Sequence, residues 1–216
     1  MSDPAGRGRR APPAIARRFP EPLHTPRLVI RRYVLSDAPA LFAAVNRSRA
    51  SLAEFLPWAR STHLAISDTE EWIARERARW LIQDTDLGFG MFRQDSGYVG
   101  GIGVHAIDWE VPRFELGYWL DDPAVGCGYM QEAVRATARA CFDSCHAARV
   151  EIRCDVRNWR SARVARACGF TLDGTLRAFG RGTDGTIRDT MVWGITAADQ
   201  DAVRAAWDAA DVRIGG

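Results

Sequence analysis

Apolar and charged residues alternate with a period of two along residues 149–156, where Val150, Ile152, Cys154 and Val156 are the apolar members. Successive side chains of a β-strand point to opposite faces, so this pattern predicts a strand with one buried face. Apolar runs bounded by turn residues predict further strands at 27–34, 87–93, 98–107, 113–120, 175–181 and 186–195.

Helix signals lie between these strands. Ser36 and Asp37 are candidate N-caps for a first helix that ends near Val45. A capping-box pattern from Ser67 to Glu70 begins a second helix. Further helices are predicted at 129–143, 161–168 and 197–209. The order of elements predicts an α+β fold, in which helices pack on a mixed, mostly antiparallel sheet of about seven strands.

The first 22 residues differ in composition from the rest of the chain. They are rich in Arg, Pro, Gly and Ala with little periodicity, which predicts a disordered tail at 1–22 before a single domain at 23–210. The chain has a formal net charge of +2, and the tail, with five Arg against Asp3 and Glu21, contributes +3. The domain therefore has no basic excess, which argues against nucleic acid as a partner.

Cysteine spacing and hydropathy restrict the compartment. The five cysteines include no pair with zinc-ligand spacing, so no metal site is expected, and free thiols favour a reducing compartment. No apolar run approaches the length that spans a membrane, and the first residues lack the apolar core of a signal peptide. We therefore expect a cytoplasmic protein without a membrane partner.

A glycine-containing loop is the first chemical signal. The strand predicted at 113–120 leads through Gly126 and Gly128 directly into the helix predicted at 129–143. Glycine permits close backbone approach, and free N–H groups in front of a helix suit a phosphate or pyrophosphate. A dinucleotide-binding fingerprint would need a third Gly at Gln131, so this loop is of another kind.

From Glu115 to Phe170, the sequence resembles the acyl-CoA-binding half of the GCN5-related N-acetyltransferases (GNATs). The resemblance rests on the glycine loop and its helix, the strand at 149–156, and then Asn158 and Ser161 before a short helix. The wider chain resembles the RimJ/RimL-type branch, which acetylates protein N-termini. This implies the GNAT fold, with a sheet splayed at the acyl-CoA site, and acetyl-CoA as co-substrate without a metal.

The resemblance also implies which residues hold acetyl-CoA. Backbone amides of the glycine loop would surround the pyrophosphate, and the backbone of the preceding strand would bind the pantetheine. The family's Gln or Arg three residues before the first Gly is Pro123 here, which removes one side-chain contact. The residues implied to bind the co-substrate are Gly117, Tyr118, Trp119, Leu120, Val125, Gly126, Cys127, Gly128, Tyr129, Met130, Asn158 and Ser161.

Acetyl transfer needs a neutral amine, and the leaving thiolate benefits from a proton. Glu115, at the start of the splayed strand, is the first candidate for the general base, and a solvated or ion-paired carboxylate is the alternative. His105 and Asp108 are weaker candidates, and His105 also suits a structural role. The resemblance places Ser161 near the leaving sulfur, where a helix N-cap is the competing role, with Tyr118 as a second candidate acid.

We expect the acceptor to lie mainly against the first half of the chain. The residues expected to line its side of the cleft are Asn46, Leu56, Pro57, Trp58, Trp109 and Phe179. By branch resemblance the acceptor is a protein N-terminal α-amine, acetylated by direct attack in a ternary complex. A small-molecule amine such as an antibiotic, polyamine or amino acid is one alternative, and a non-catalytic acyl-CoA sensor is another. The C-terminal hairpin often pairs subunits in this family, which suggests a homodimer.

Overall fold

The strands form one mixed sheet over the residues that the computed structural model describes, 19–82 and 86–215. They are β1 (Leu23–His24), β2 (Leu28–Arg31), β3 (Leu87–Arg93), β4 (Tyr98–Asp108), β5 (Arg113–Leu120), β6 (Arg149–Asp155), β7 (Thr171–Arg181) and β8 (Ile187–Thr196). Their order is β1-β2-β3-β4-β5-β6-β8-β7, and only β5 and β6 pair in parallel. The predicted α+β fold is confirmed, with eight strands instead of about seven, because β1 is too short to give a sequence period.

Helices cover both faces of the sheet. They are α1 (Ala38–Leu52), α2 (Ile66–Ile82), α3 (Tyr129–Cys145), α4 (Trp159–Ala167) and α5 (Gln200–Gly215). Contacts of α1 with β4 and of α2 with β3 define one face, here named the α1 face. Contacts of α3 with β5 and of α4 with β6 define the opposite face, named the α3 face, which holds the larger apolar core. None of these described helices is long and apolar enough to cross a membrane.

The first helix is longer than its sequence pattern predicted. It continues to Leu52, whereas the prediction ended near Val45. Leu41, Val45 and Leu52 are all buried, but Ser48 stands at a core position between them. The buried Ser48 hydroxyl donates to the Asp121 carboxylate at 2.8 Å. Ser48 therefore interrupted the apolar pattern of the helix, and the predicted helix ended too early.

Two helix starts use other residues than the sequence predicted. Asp37 makes no side-chain cap to α1, and its carboxylate instead accepts the Val34 N–H at 2.8 Å. At the start of α2, the side chain that accepts a backbone hydrogen bond is Asp68 and not Glu70. The donor is the Leu64 N–H, which precedes the helix, at 3.0 Å. Both carboxylates still satisfy free backbone donors, which is the physical role that capping residues serve.

The predicted boundary between tail and domain also changes. Residues 1–18 of the predicted tail lie outside the described residues. Phe19 is buried, and its ring centroid lies 5.2 Å from that of Phe89 on β3. The core therefore takes in part of the segment that the composition assigned to the tail.

The centre of the α1 face carries almost no side chains of its own. Its residues, named the glycine floor, are Gly88, Gly90, Gly101, Gly103 and Gly117. Gly88, Gly103 and Gly117 lie side by side on β3, β4 and β5. Groups from elsewhere fill the space above them, since a methyl group on Gly88 would lie 2.7 Å from Glu76 Oε2. Charged side chains can therefore lie directly on the backbone of the sheet.

A buried carboxylate joins the first strands to α3. Glu132 on α3 is only 1% exposed and accepts from the Thr25 hydroxyl at 2.5 Å and the Arg27 N–H at 2.9 Å. The Arg27 guanidinium reaches the same carboxylate at 2.7 and 2.8 Å and also donates to the Cys127 carbonyl at 3.0 Å. This cluster therefore holds the glycine loop and the start of α3 against the segment that connects β1 and β2.

We expect Glu132→Gln to lower the free energy of unfolding by about 2–4 kcal/mol, because it leaves the Arg27 cation without its buried partner. Glu71→Gln is the matched control, since Glu71 is 73% exposed and 3.7 Å from Arg75. We expect the control to lose less than about 0.5 kcal/mol. Urea unfolding of both variants measures the difference, and equal losses would contradict a structural role for Glu132.

Candidate active site

The two parallel strands separate shortly after they meet. β5 and β6 pair only over Arg113–Glu115 and Arg149–Glu151. Beyond that point, β5 stays paired with β4 as far as Leu120, and β6 stays paired with β8 as far as Asp155. In the described chain, the β6 side of β5 therefore has no strand partner after Glu115, and a wedge opens through the sheet.

A cavity of about 540 Å³ occupies this wedge. It touches both faces of the sheet, since Trp119 and Arg153 line it from the α1 face and Tyr118 and Cys154 line it from the α3 face. The residues implied to bind the co-substrate that line it are Gly117, Tyr118, Trp119, Leu120, Val125, Gly126, Gly128, Met130, Asn158 and Ser161. The structure thus brings together most of a set that spans more than forty positions of the sequence.

Cys127 and Tyr129 are the two members of that set that do not line the cavity. The Arg27 guanidinium accounts for both, because it donates to the Cys127 carbonyl at 3.0 Å and lies 4.7 Å from the centre of the Tyr129 ring. The two glycines of this loop have left-handed backbones, with φ of 85° at Gly126 and 81° at Gly128. An L-residue in that region costs roughly 1–2 kcal/mol, so glycine suits these two positions.

A polar cluster lies on the α3 side of the cavity. The Tyr118 hydroxyl is 3.1 Å from Ser161 Oγ, and Asn158 Oδ1 accepts the Ser161 N–H at 3.1 Å. Asn158, and not Ser161, is therefore the N-cap of α4, which corrects the alternative role predicted for Ser161. Burial raises the pKa of the Tyr118 hydroxyl above its ordinary value, although Ser161 opposes this. Tyr118 keeps its proton at neutral pH, and its hydroxyl donates to the Ser161 carbonyl at 3.3 Å.

Charged groups lie on the α1 side of the wedge. Glu115 Oε2 is 3.5 Å from Arg153 Nε, and the Arg153 guanidinium also contacts Glu151 at 2.8 Å. Burial raises the pKa of the Glu115 carboxyl, and Arg153 opposes this. His105 is the neighbour of Glu115 across the β4–β5 pair, and its Nδ1 is 2.9 Å from Asp86. Glu115 and His105 stand beside the cavity rather than among the residues that line it.

The residues expected on the acceptor side divide into two groups. Leu56 and Pro57 line the cavity, whereas the remaining four do not, namely Asn46, Trp58, Trp109 and Phe179. Trp58 packs against Trp119 with ring centroids 5.9 Å apart, so it supports a wall residue from behind. The Trp109 ring centroid lies 5.4 Å from that of Phe114, at the start of β5 and away from the cavity. The sequence around Trp109 gave no indication of this position.

Asn46 and Phe179 are displaced from the cavity for different reasons. The Asn46 amide donates to the Phe42 carbonyl at 2.9 Å within its own helix. Phe179 is 54% exposed on β7, and its ring centre is 5.8 Å from the Arg153 guanidinium. Asp108, the third candidate base, accepts backbone N–H groups of the β4–β5 turn at 3.0 and 3.1 Å. Its carboxylate serves that turn.

Sequence reasoning did not find the arginines of the cavity wall. These are Arg153, Arg160, Arg163 and Arg188. The guanidiniums of Arg160 and Arg163 both lie over the exposed Trp159 ring, at 5.5 and 5.0 Å. Positive charge beside a glycine loop suits an anionic ligand. All 29 basic residues of the chain are arginine, so the residue type alone gave no signal.

A family model for the acetyltransferase (GNAT) domain matches residues 27–171, which is more than half of the chain. The chain belongs to the GNAT acetyltransferase family. The resemblance stated from the sequence is thereby confirmed, and so is the enzyme class, acyltransferase. Among the described residues of this GNAT protein, no group of three or more His, Cys, Asp or Glu is placed to hold a metal ion.

Relatives support the same family. YoaA, an uncharacterized N-acetyltransferase of Bacillus subtilis (strain 168), is 27% identical over 174 residues, which are 80% of this chain and 95% of YoaA. The solved structure of RimL, a ribosomal L7/L12 α-N-protein acetyltransferase in complex with coenzyme A, is 24% identical with a TM-score of 0.73 and covers 81% of this chain and 96% of RimL. MccE, a microcin C7 self-immunity acetyltransferase in complex with acetyl-CoA and AMP, is 22% identical with a TM-score of 0.73, over 79% of this chain and 92% of MccE. Both structures share the fold.

The glycine floor predicts one steric effect beside the wedge. A methyl group on Gly117 would lie 2.9 Å from His105 Cδ2 and 3.0 Å from Nε2. We therefore expect Gly117→Ala to displace the imidazole and lower the free energy of unfolding by about 1–3 kcal/mol. Gly174→Ala on β7 is the control, because nothing lies within 4 Å of its added methyl group. Urea unfolding compares the two, and equal stabilities would show that His105 moves aside freely.

Proposed function

We propose that this protein transfers an acetyl group from acetyl-CoA to a primary amine, with a protein N-terminal α-amine as the favoured acceptor. The observation that carries the proposal is the continuous cavity that passes from the glycine loop through the wedge between β5 and β6. A site that joins an anion-binding loop to both faces of a sheet has room for a donor on one side and an acceptor on the other.

The residues present fit acetyl-CoA. Gly126 and Gly128 give the loop a backbone surface that side chains would fill, and the start of α3 directs free N–H groups at it. Arg160 and Arg163 add positive charge along the same cavity, which suits phosphate groups. The free edge of β5 offers backbone groups to an extended chain such as pantetheine.

Acetyl-CoA would supply an activated acetyl thioester at the centre of the wedge. Tyr118 and Ser161 would then orient its sulfur side, because their hydroxyls lie 3.1 Å apart on the α3 side of the cavity. Burial raises the pKa of the Tyr118 hydroxyl, which therefore keeps its proton. That proton is donated to the Ser161 carbonyl at 3.3 Å and would turn to the sulfur when the thioester is bound. Leu56, Pro57 and Trp119 would hold the acceptor and exclude water from the α1 side.

The acceptor is proposed from similarity together with shape. RimL is a ribosomal L7/L12 α-N-protein acetyltransferase, which supports a protein N-terminus. One contact favours a small-molecule amine as the second candidate. The Thr183 hydroxyl in the β7–β8 turn donates to the Glu54 carbonyl at 2.8 Å, which closes one side of the cavity that Glu54 lines. MccE, a self-immunity acetyltransferase, supports the same alternative.

Binding of the donor tests the central part of the proposal. We expect calorimetry to show saturable binding of acetyl-CoA to the full chain and none of NAD. Gly126→Ala should weaken this binding by about tenfold, since the strain of a left-handed Ala is on the order of 1–2 kcal/mol and its Cβ intrudes on the ligand. Gly185→Ala is the matched control, because Gly185 has a similar φ of 81° and likewise has nothing within 4 Å of an added Cβ, but lies in the β7–β8 turn. Absence of binding at millimolar acetyl-CoA would contradict the proposal.

A panel of amines then distinguishes the acceptors. It contains a hexapeptide that begins with Ser and has a free α-amine, the same peptide with a blocked N-terminus, and small polyamines and amino acids. We expect turnover of the free peptide and none of the blocked one. Turnover confined to the small amines would favour the second candidate. Binding of acetyl-CoA without turnover of any amine would favour the acyl-CoA sensor.

A further inference from the structure

His105 and Asp86 form a hydrogen-bonded pair beside the wedge. Nδ1 of His105, on β4, is 2.9 Å from Oδ1 of Asp86, which directly precedes β3. A carboxylate at neutral pH only accepts hydrogen bonds, so this contact places the proton of a neutral imidazole on Nδ1. Nε2 is then the nitrogen that can take up a further proton.

The glycine floor determines where this nitrogen lies. A methyl group on Gly103 would lie 2.5 Å from His105 Nε2, and one on Gly117 would lie 3.0 Å from it. The imidazole therefore rests on the backbone of β4 and β5, with Nε2 between Gly103 and Gly117 and closer to Gly103. Gly117 lines the cavity at the point where β5 leaves β6. The pair thus holds a proton-accepting nitrogen at the α1 edge of the wedge.

We propose that His105 takes the proton from the incoming amine, and that Asp86 is the residue that positions it. This inference rests on the proposed acetyltransferase function. In the step, the N–H bond of the substrate ammonium breaks, its electron pair remains on the amine nitrogen, and the proton moves to Nε2. The resulting imidazolium keeps its Nδ1–H on Asp86 and later returns the Nε2 proton to water.

Carboxylates surround the position where the amine would meet His105. Glu115 is the neighbour of His105 on β5, and Glu76 from α2 lies on the same glycine floor above Gly88. Together with Asp86, three carboxylates from three elements face the ring. Each attracts a cationic amine, although Glu76 also pairs with Arg79 at 2.7 Å and Glu115 with Arg153 at 3.5 Å.

Glu115 is the competing candidate for the general base, and its ion pair with Arg153 makes it less suitable. Its carboxylate lies 3.5 Å from the Arg153 guanidinium, which repels an approaching ammonium. No cation stands in the same relation to His105 among its described hydrogen-bond and ion-pair partners. Glu115 is therefore assigned to stabilising the charge on His105, and its removal should cost less activity.

Nuclear magnetic resonance of the free protein tests the positioning without any substrate. We expect ¹⁵N–¹H correlation spectra to show the Nδ1–H tautomer of His105 in the wild type. Asp86→Asn should shift the tautomer population towards Nε2–H, because an amide can donate to Nδ1. A wild-type His105 in the Nε2–H tautomer would overturn the inference, whether or not the variants fold.

Kinetics test the proton transfer, with the amine that gives the highest rate in the acceptor panel. At pH 7 we expect His105→Gln to lower kcat/KM by about 100-fold. The gap should narrow to about tenfold or less by pH 9, because an α-amine titrates near about 8 and loses its proton to water there. Asp86→Asn should lose less than His105→Gln and show an altered pH profile. His24→Gln, exposed on β1, should match the wild type at every pH.

The outcomes separate this inference from the function on which it rests. If the wild type binds no acetyl-CoA or acetylates no amine, the proposed function fails and the inference fails with it. If the wild type acetylates and His105→Gln retains its rate across the pH range, only the inference is overturned. A greater loss in Glu115→Gln than in His105→Gln would also overturn it. Equal acetyl-CoA affinity of the His105 variant and the wild type supports a role limited to proton transfer.

Discussion

The brief parallel contact of β5 and β6 is the constraint on which the site depends. Three residue pairs hold the strands together, from Arg113 to Glu115, and then each strand follows its other neighbour. Backbone polar groups that lose their strand partners must find others, because an unpaired buried N–H or C=O is costly. The opening therefore persists only where a ligand or water can meet those groups. The fold thus creates a binding surface from main-chain atoms that no side chain specifies.

The glycine floor provides the counterpart on the α1 face. Strand glycines ordinarily weaken a sheet, since they add no packing and cost conformational entropy. Here the space that they leave is filled by Glu76, by the His105 ring and by the Trp119 side chain. Polar groups can then approach the sheet backbone at the edge of the wedge. The stability that these positions forgo is offset by the large apolar core on the α3 face.

Most of the fold could be predicted from local sequence patterns. The glycine loop could also be predicted, because its residues are close together in the sequence. The floor was less evident, although Gly88 and Gly90, like Gly101 and Gly103, are spaced two apart. That spacing places each pair on one face, but only the register of β3, β4 and β5 shows that the pairs lie side by side. Trp58 and Trp109 were expected to line the cavity and do not. A single aromatic residue outside a strand or long helix has no sequence period that shows which surface it will pack against.

Charge gives the wedge a direction that composition could not show. Arg160 and Arg163 line the same cavity as the glycine loop, whereas Asp86 and Glu115 lie at the α1 edge beside His105. Anionic phosphates would bind beside the arginines, and a cationic amine would be drawn to the carboxylates at the α1 edge. The two reactants would then approach the centre from opposite faces of the sheet. A net charge of +2 conceals this separation, because the opposite charges nearly cancel in the sum.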